Sequence, residues 1–140
     1  MSHYCKALII HCIDFRFGKA IKKYLEDENL LGDVDIVSVA GAVKNLVDPK
    51  EQGDVEFMTR QVEISSRLHQ ISQVILMNHT DCGAYGGSEA FENKNAEYEK
   101  HTNDIQKAKE IIIAKFPNLE VKKILAHISP EGQISFEGVN

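Results

Sequence analysis

The chain is short of several things that would announce a function. It has no run of lysine and arginine able to track a phosphate backbone, and its 16 basic residues are outnumbered by 21 acidic ones, for a net charge of −5. That balance argues against a nucleic-acid partner. It also has no long apolar stretch. Ala7-Leu8-Ile9-Ile10 and Val74-Ile75-Leu76-Met77 are of strand length, far below the roughly 20 residues that span a bilayer. No membrane partner is expected, and no export signal is read before the first strand. Cysteine is scarce and odd in number, at three. Without an export signal this points to a reducing compartment, the cytoplasm, where thiols act as ligands or nucleophiles rather than as disulfide halves.

What remains is 140 residues, 43% of them hydrophobic, enough for one domain with its own core and no need of a structural metal. Internal repeats, low-complexity tracts and Pro/Gly-rich linkers are missing, so residues 1–140 read as a single unit. Hydrophobic periodicity predicts strands over Lys6–His11, Val34–Val39, Gln73–Asn78 and Val121–His127, with a short closing strand at Ile134–Phe136. Between them fall helices over Gly18–Glu28, from about Asp54 to His69, and over Ala96–Phe116. Ala20, Ile21, Tyr24 and Leu25 make the inner face of the first helix. Val55, Met58, Val62, Ser65 and Leu68 make that of the second.

Strands alternating with helices predict an α/β fold of three layers. The sheet is mostly parallel, in the order 2-1-3-4, with the last short strand antiparallel at an edge. In that order the first and third strands are neighbours whose crossovers leave in opposite directions, opening a crevice beyond their carboxyl ends. The polar motifs lie at those ends. Cys12-Ile13-Asp14-Phe15-Arg16 follows the first strand, and His79-Thr80-Asp81-Cys82-Gly83 follows the third.

Two thiols and an imidazole meeting in one crevice suit zinc. Asp14 has two readings at this point: a fourth ligand that closes the site, or a carboxylate held off the metal by Arg16 in a charge-assisted pair. A plainer reading makes Asp14 a helix cap and Arg16 a surface base. Gly83, Gly86 and Gly87 read as a flexible rim, since no Lys-Ser/Thr follows to complete a phosphate loop. No arginine follows Cys82, which disfavours cysteine-phosphatase and rhodanese chemistry.

Cys12-x-Asp14-x-Arg16, His79-x-x-Cys82-Gly83, Ala40-Gly41 after the second strand and the closing strand-turn-strand together resemble the β-class carbonic anhydrases. The resemblance runs from Lys6 to about Phe136, with residues 85–118 matching only in general character. It implies zinc held by Cys12, His79 and Cys82, a catalytic dyad of Asp14 and Arg16, and reversible hydration of CO2 to bicarbonate by a zinc-bound hydroxide. It also implies a homodimer or higher homo-oligomer. Ser38-Val39 stands where many members carry Arg-Asn, and few residues precede the first strand, so the chain reads as a short member without the N-terminal helical arm. Two other functions fit the same metal: a zinc-binding module without turnover, and an enzyme acting on COS or CS2.

The remaining residues carry plainer expectations. Cys5 reads as an inert thiol, His11 as structural, and His127 as a surface histidine that could relay protons. His3, His69 and His101 carry no argument. The charged residues of Glu89–Lys109 read as a solvated helix face.

Overall fold

The structure is a computed structural model and describes residues 3–140. Five strands, β1 (Ala7–His11), β2 (Val34–Ser38), β3 (Gln73–His79), β4 (Glu120–Ile128) and β5 (Ile134–Gly138), form one sheet in the order β2-β1-β3-β4-β5. The first four are parallel and β5 runs antiparallel to β4, as the periodicity predicts. Helices α1 (Gly18–Asp27), α2 (Lys44–Val47), α3 (Asp54–His69) and α4 (Lys94–Lys115) fill the connections. The one-turn α2 was not expected. Four residues are too few to leave a readable period.

Right-handed crossovers decide which face each helix covers. The chain moves one way across the sheet from β1 to β2 and the other way from β2 to β3 and β4, so α1 lies alone on one face and α2, α3 and α4 share the other. The alternation of β1 follows suit. Ala7 and Ile9 join Phe17, Ile21 and Leu25 under α1. Leu8 and Ile10 join Met58, Val62, Ile105 and Ile112 under α3 and α4. Central β3 is buried from Val74 to His79, which is why its sequence is a continuous apolar run rather than an alternating one. Each large side chain so buried contributes about 1.5–3 kcal/mol relative to exposure.

Two packing expectations are corrected. Leu68 is 50% exposed, because the last turn of α3 instead directs Ser65 and His69 to the Asp35 carboxylate, each at 2.6 Å. The Glu89–Lys109 segment is not wholly solvated either. Glu97, His101 and Asp104 are buried, on the same stripe as Ile105, Ala108 and Ile112.

Candidate metal centre

The β1–β3 ladder stops at Ile10 paired with Leu76, and beyond it the two chains part towards α1 and α4. Cys12 follows the end of β1, His79 is the last residue of β3, and Cys82 lies three residues on. Their donor atoms fall within 4.8 Å of one another, with the two sulfurs 3.9 Å apart. Cys82 and His79 are buried, and Cys12 is 8% exposed.

The local chemistry leaves this trio poised for a cation. His79 donates Nδ1–H to the Thr80 carbonyl at 2.7 Å, fixing the tautomer and leaving Nε2 bare. That Nε2 is buried without a hydrogen-bond partner. An orphaned buried nitrogen costs about 1–3 kcal/mol, and a metal would relieve it. The backbone N–H of Gly41 points at Cys12 Sγ at 3.4 Å. Acceptance of the Cys82 hydrogen bond is the leading influence holding the Cys12 thiol well below its usual range. The same hydrogen bond, with burial, pushes Cys82 up. One proton is thus easily lost from the pair and the second leaves only with a compensating positive charge.

Asp14 is at once a turn cap and the partner of the Arg16 side chain. Asp14 caps the 3-10 turn Phe15–Phe17 through the Arg16 backbone N–H at 3.0 Å. The Arg16 guanidinium also grips its carboxylate, with Nη2 at 2.7 Å from Oδ2 and Nε at 3.1 Å from Oδ1. That grip is the main reason the Asp14 carboxyl lies below the ordinary carboxylate range. Asp14 Oδ2 is 3.7 Å from His79 Nε2. The carboxylate therefore adjoins the trio while its oxygens are engaged by Arg16.

The sequence reading missed a polar scaffold behind these residues. Asp81, held at φ +57°, accepts Arg16 Nη1 on Oδ2 at 3.0 Å and Arg16 Nη2 on its carbonyl at 2.9 Å. Its own backbone N–H is received by the buried Glu97 at 2.8 Å, which also accepts the Ser88 hydroxyl. Asn78, beside His79, donates to both Tyr85 Oη and His101 Nδ1, and Tyr85 donates to Asp104 at 2.9 Å. The signal that could have found Glu97, His101 and Asp104 is their spacing, which continues the apolar stripe of α4. The glycine rim is also less free than expected: Gly87 N–H bonds the Cys82 carbonyl at 2.9 Å, and Ser88 N–H bonds Asp81 Oδ1 at 2.9 Å.

A groove of about 1140 Å³ opens beside Arg16, with Asp81, Lys94, His127 and Pro130 also in its walls. His127 is not alone there; it pairs with Glu137 at 2.8 Å and stacks on Tyr98. His11 donates to or accepts from no residue of the trio's side chains and bonds the Cys12 carbonyl at 2.8 Å. Among the described residues, no helix is long and apolar enough to cross a membrane.

Comparison with known proteins agrees with the geometry. A family model described as "Putative carbonic anhydrase" matches residues 2–136. An uncharacterized protein of Rickettsia bellii (strain RML369-C) is 37% identical over 121 residues, which take in 84% of this chain and 74% of that protein. Among solved structures, the β-carbonic anhydrase CafA of the fungal pathogen Aspergillus fumigatus superposes with a TM-score of 0.65 at 15% identity, covering 97% of this chain and 76% of that one. A tetrameric β-carbonic anhydrase of the filamentous ascomycete Sordaria macrospora superposes with a TM-score of 0.57 at 16% identity, covering 97% and 83%. With nearly its whole length matched by that family model, this chain belongs to the carbonic anhydrase family so described.

Proposed function

We propose that the protein catalyses the reversible hydration of CO2 to bicarbonate, with Zn²⁺ held by Cys12, His79 and Cys82. The observation that carries this reading is the bare, buried Nε2 of His79 beside two thiols and the Asp14–Arg16 pair. The donor set of two sulfurs and one nitrogen is that of zinc, and three protein ligands leave a position for substrate. When bound, zinc supplies the Lewis acidity that makes water a nucleophile near neutral pH.

The chain's own residues do the rest. Arg16 keeps Asp14 ionised, so at neutral pH Asp14 accepts a hydrogen bond from the attacking water and does not donate one. That orients the oxygen lone pair towards CO2. Arg16 prevents the Asp14 carboxylate from swinging onto the metal, and Asp81 holds Arg16 in turn. In this reading Asp14 is an orienting acceptor rather than the fourth ligand. The guanidinium also faces the groove, where its charge favours bicarbonate.

Residues 1–140 act in this reading as one β-carbonic-anhydrase-like zinc domain, working in the cytoplasm, where Cys12 and Cys82 stay reduced. The protein assembles as a homodimer or higher homo-oligomer. Exposed Ile36 on edge strand β2 and Phe15 at the lip of the site support this, as does the tetrameric relative from Sordaria macrospora.

Stopped-flow CO2 hydration by zinc-loaded protein at about pH 8.5, where a zinc enzyme of this kind is active, tests the reading against Cys82→Ala as a blank that loses the metal. Asp14→Asn should retain zinc and lose about 10²-fold or more in kcat. Parent-like turnover by Asp14→Asn would remove the dyad from the mechanism. No turnover by the zinc-loaded parent would redirect the site to COS, CS2 or a non-catalytic role.

A further inference from the structure

At the opposite end of the sheet, where the parallel strands begin, a second group of metal-ligating side chains comes together. Cys5 precedes β1, Asp35 is the second residue of β2, and His69 closes α3. Each supplies a donor atom within 4.8 Å of the other two. All three are half-buried, so the cluster is walled by protein yet reachable from solvent.

The cluster is built rather than incidental. Asp35 Oδ2 receives the Ser65 hydroxyl and faces His69 Nδ1, both at 2.6 Å. The Cys5 backbone N–H bonds the His69 carbonyl at 3.0 Å, which ties the thiol-bearing segment to the end of α3. Asp33 is also close and takes the Lys6 backbone N–H at 3.1 Å. The surroundings of Cys5 combine burial with two carboxylates.

We propose that Cys5, Asp35 and His69 form a second divalent-metal site, selective for a borderline ion such as Zn²⁺ and separate from the Cys12–His79–Cys82 centre. One sulfur, one imidazole nitrogen and one carboxylate oxygen are each established zinc donors. Binding expels the Cys5 thiol proton, and any proton on His69, to solvent. The His69–Asp35 contact opens from 2.6 Å to the wider separation of about 3.3 Å that two ligands of a tetrahedral zinc ion keep. Ser65 remains on the carboxylate and orients it. Bound in this way, the ion clamps the segment before β1 to both β2 and α3.

The test uses zinc and cobalt as the probes. After equilibration with Zn²⁺ and removal of loosely held metal, the parent should retain about two equivalents per chain, and Cys5→Ala and Cys82→Ala about one each. In a Cys12→Ser/Cys82→Ser protein, Cys5 is the last cysteine, so Co²⁺ should give a thiolate charge-transfer band that His69→Gln weakens. One equivalent in the parent, unchanged by Cys5→Ala, overturns the proposal and leaves an ordinary Asp35–His69 ion pair. So does a cobalt-treated double variant without the band. If the double variant does not fold, the parent and Cys5→Ala counts decide alone. Loss of metal from Cys5→Ala but not from Cys82→Ala would support this site while defeating the proposed catalytic centre.

Discussion

Arg16 holds Asp81 at two points, side chain to side chain at 3.0 Å and side chain to backbone carbonyl at 2.9 Å. The two residues are 65 positions apart in the chain, and each sits within a loop that carries part of the candidate metal centre. Through this pair the loop after β1 and the loop after β3 are joined into one rim, with Asp14 fastened to it.

Asp81→Asn tests that rim. Asparagine tolerates the left-handed backbone at this position but has one side-chain acceptor where the carboxylate has two, so the change removes the charge and gives up either the Arg16 Nη1 or the Ser88 N–H hydrogen bond. The ion pair is partly exposed, with Asp81 44% accessible, and is worth about 1 kcal/mol after screening. Turnover should fall roughly fivefold by that figure, with zinc content at the parent level. Loss of zinc instead would mean that Asp81 shapes the ligand loop and not the dyad.

Gly41→Ala should damage fold and metal centre together. Gly41 has φ +78°, and a Cβ there would lie 2.9 Å from the Ala84 Cβ in the turn after Cys82. Left-handed strain and overpacking together cost about 2 kcal/mol or more. Because the Gly41 N–H points at Cys12 Sγ, competition with a zinc chelator should show weaker retention as well as a lower denaturation midpoint. A variant equal to the parent in both would show that the loop yields freely.

Buried His101 predicts an acid-side loss of stability. Desolvation, the largest influence, lowers its pKa from 6.5 to about 4, against Glu97 and Asp104, which raise it, while His79 and Lys100 lower it further. A depressed native pKa means that the unfolded chain binds the proton first as pH falls. His101 therefore supports the fold above about pH 6.5 and loses that support progressively towards about pH 4, amounting to about 3 kcal/mol. Urea unfolding across this range should show the stability advantage of the parent over His101→Gln shrinking as pH drops. Parallel profiles would count against a neutral, buried His101.

The proposed zinc chemistry predicts an alkaline activity profile. Two thiolates and a neutral imidazole cancel the charge of Zn²⁺, so the ion acidifies water less than one held by three neutral histidines. kcat should climb through neutrality and continue rising above it. A profile already at its plateau at about pH 6.5 is the contrary result.

The five strands, the three long helices and their order are legible in the residues, because an element of more than a turn or so writes its period into its own chain, as one-turn α2 does not. The sequence by itself also placed Cys12, Asp14, Arg16, His79 and Cys82 at the ends of β1 and β3, and the strand order brings those ends together. Tertiary structure decided the rest. Glu97, His101 and Asp104 look like surface residues one at a time, and only the packing of α4 over the sheet shows that they turn inward to Asp81, Asn78 and Tyr85. The same holds for Cys5, Asp35 and His69, which no local motif joins. Periodicity is a short-range property of the chain, whereas the partner of a buried polar group is chosen by topology, across tens of residues, wherever burial without a partner would cost more than the fold can bear.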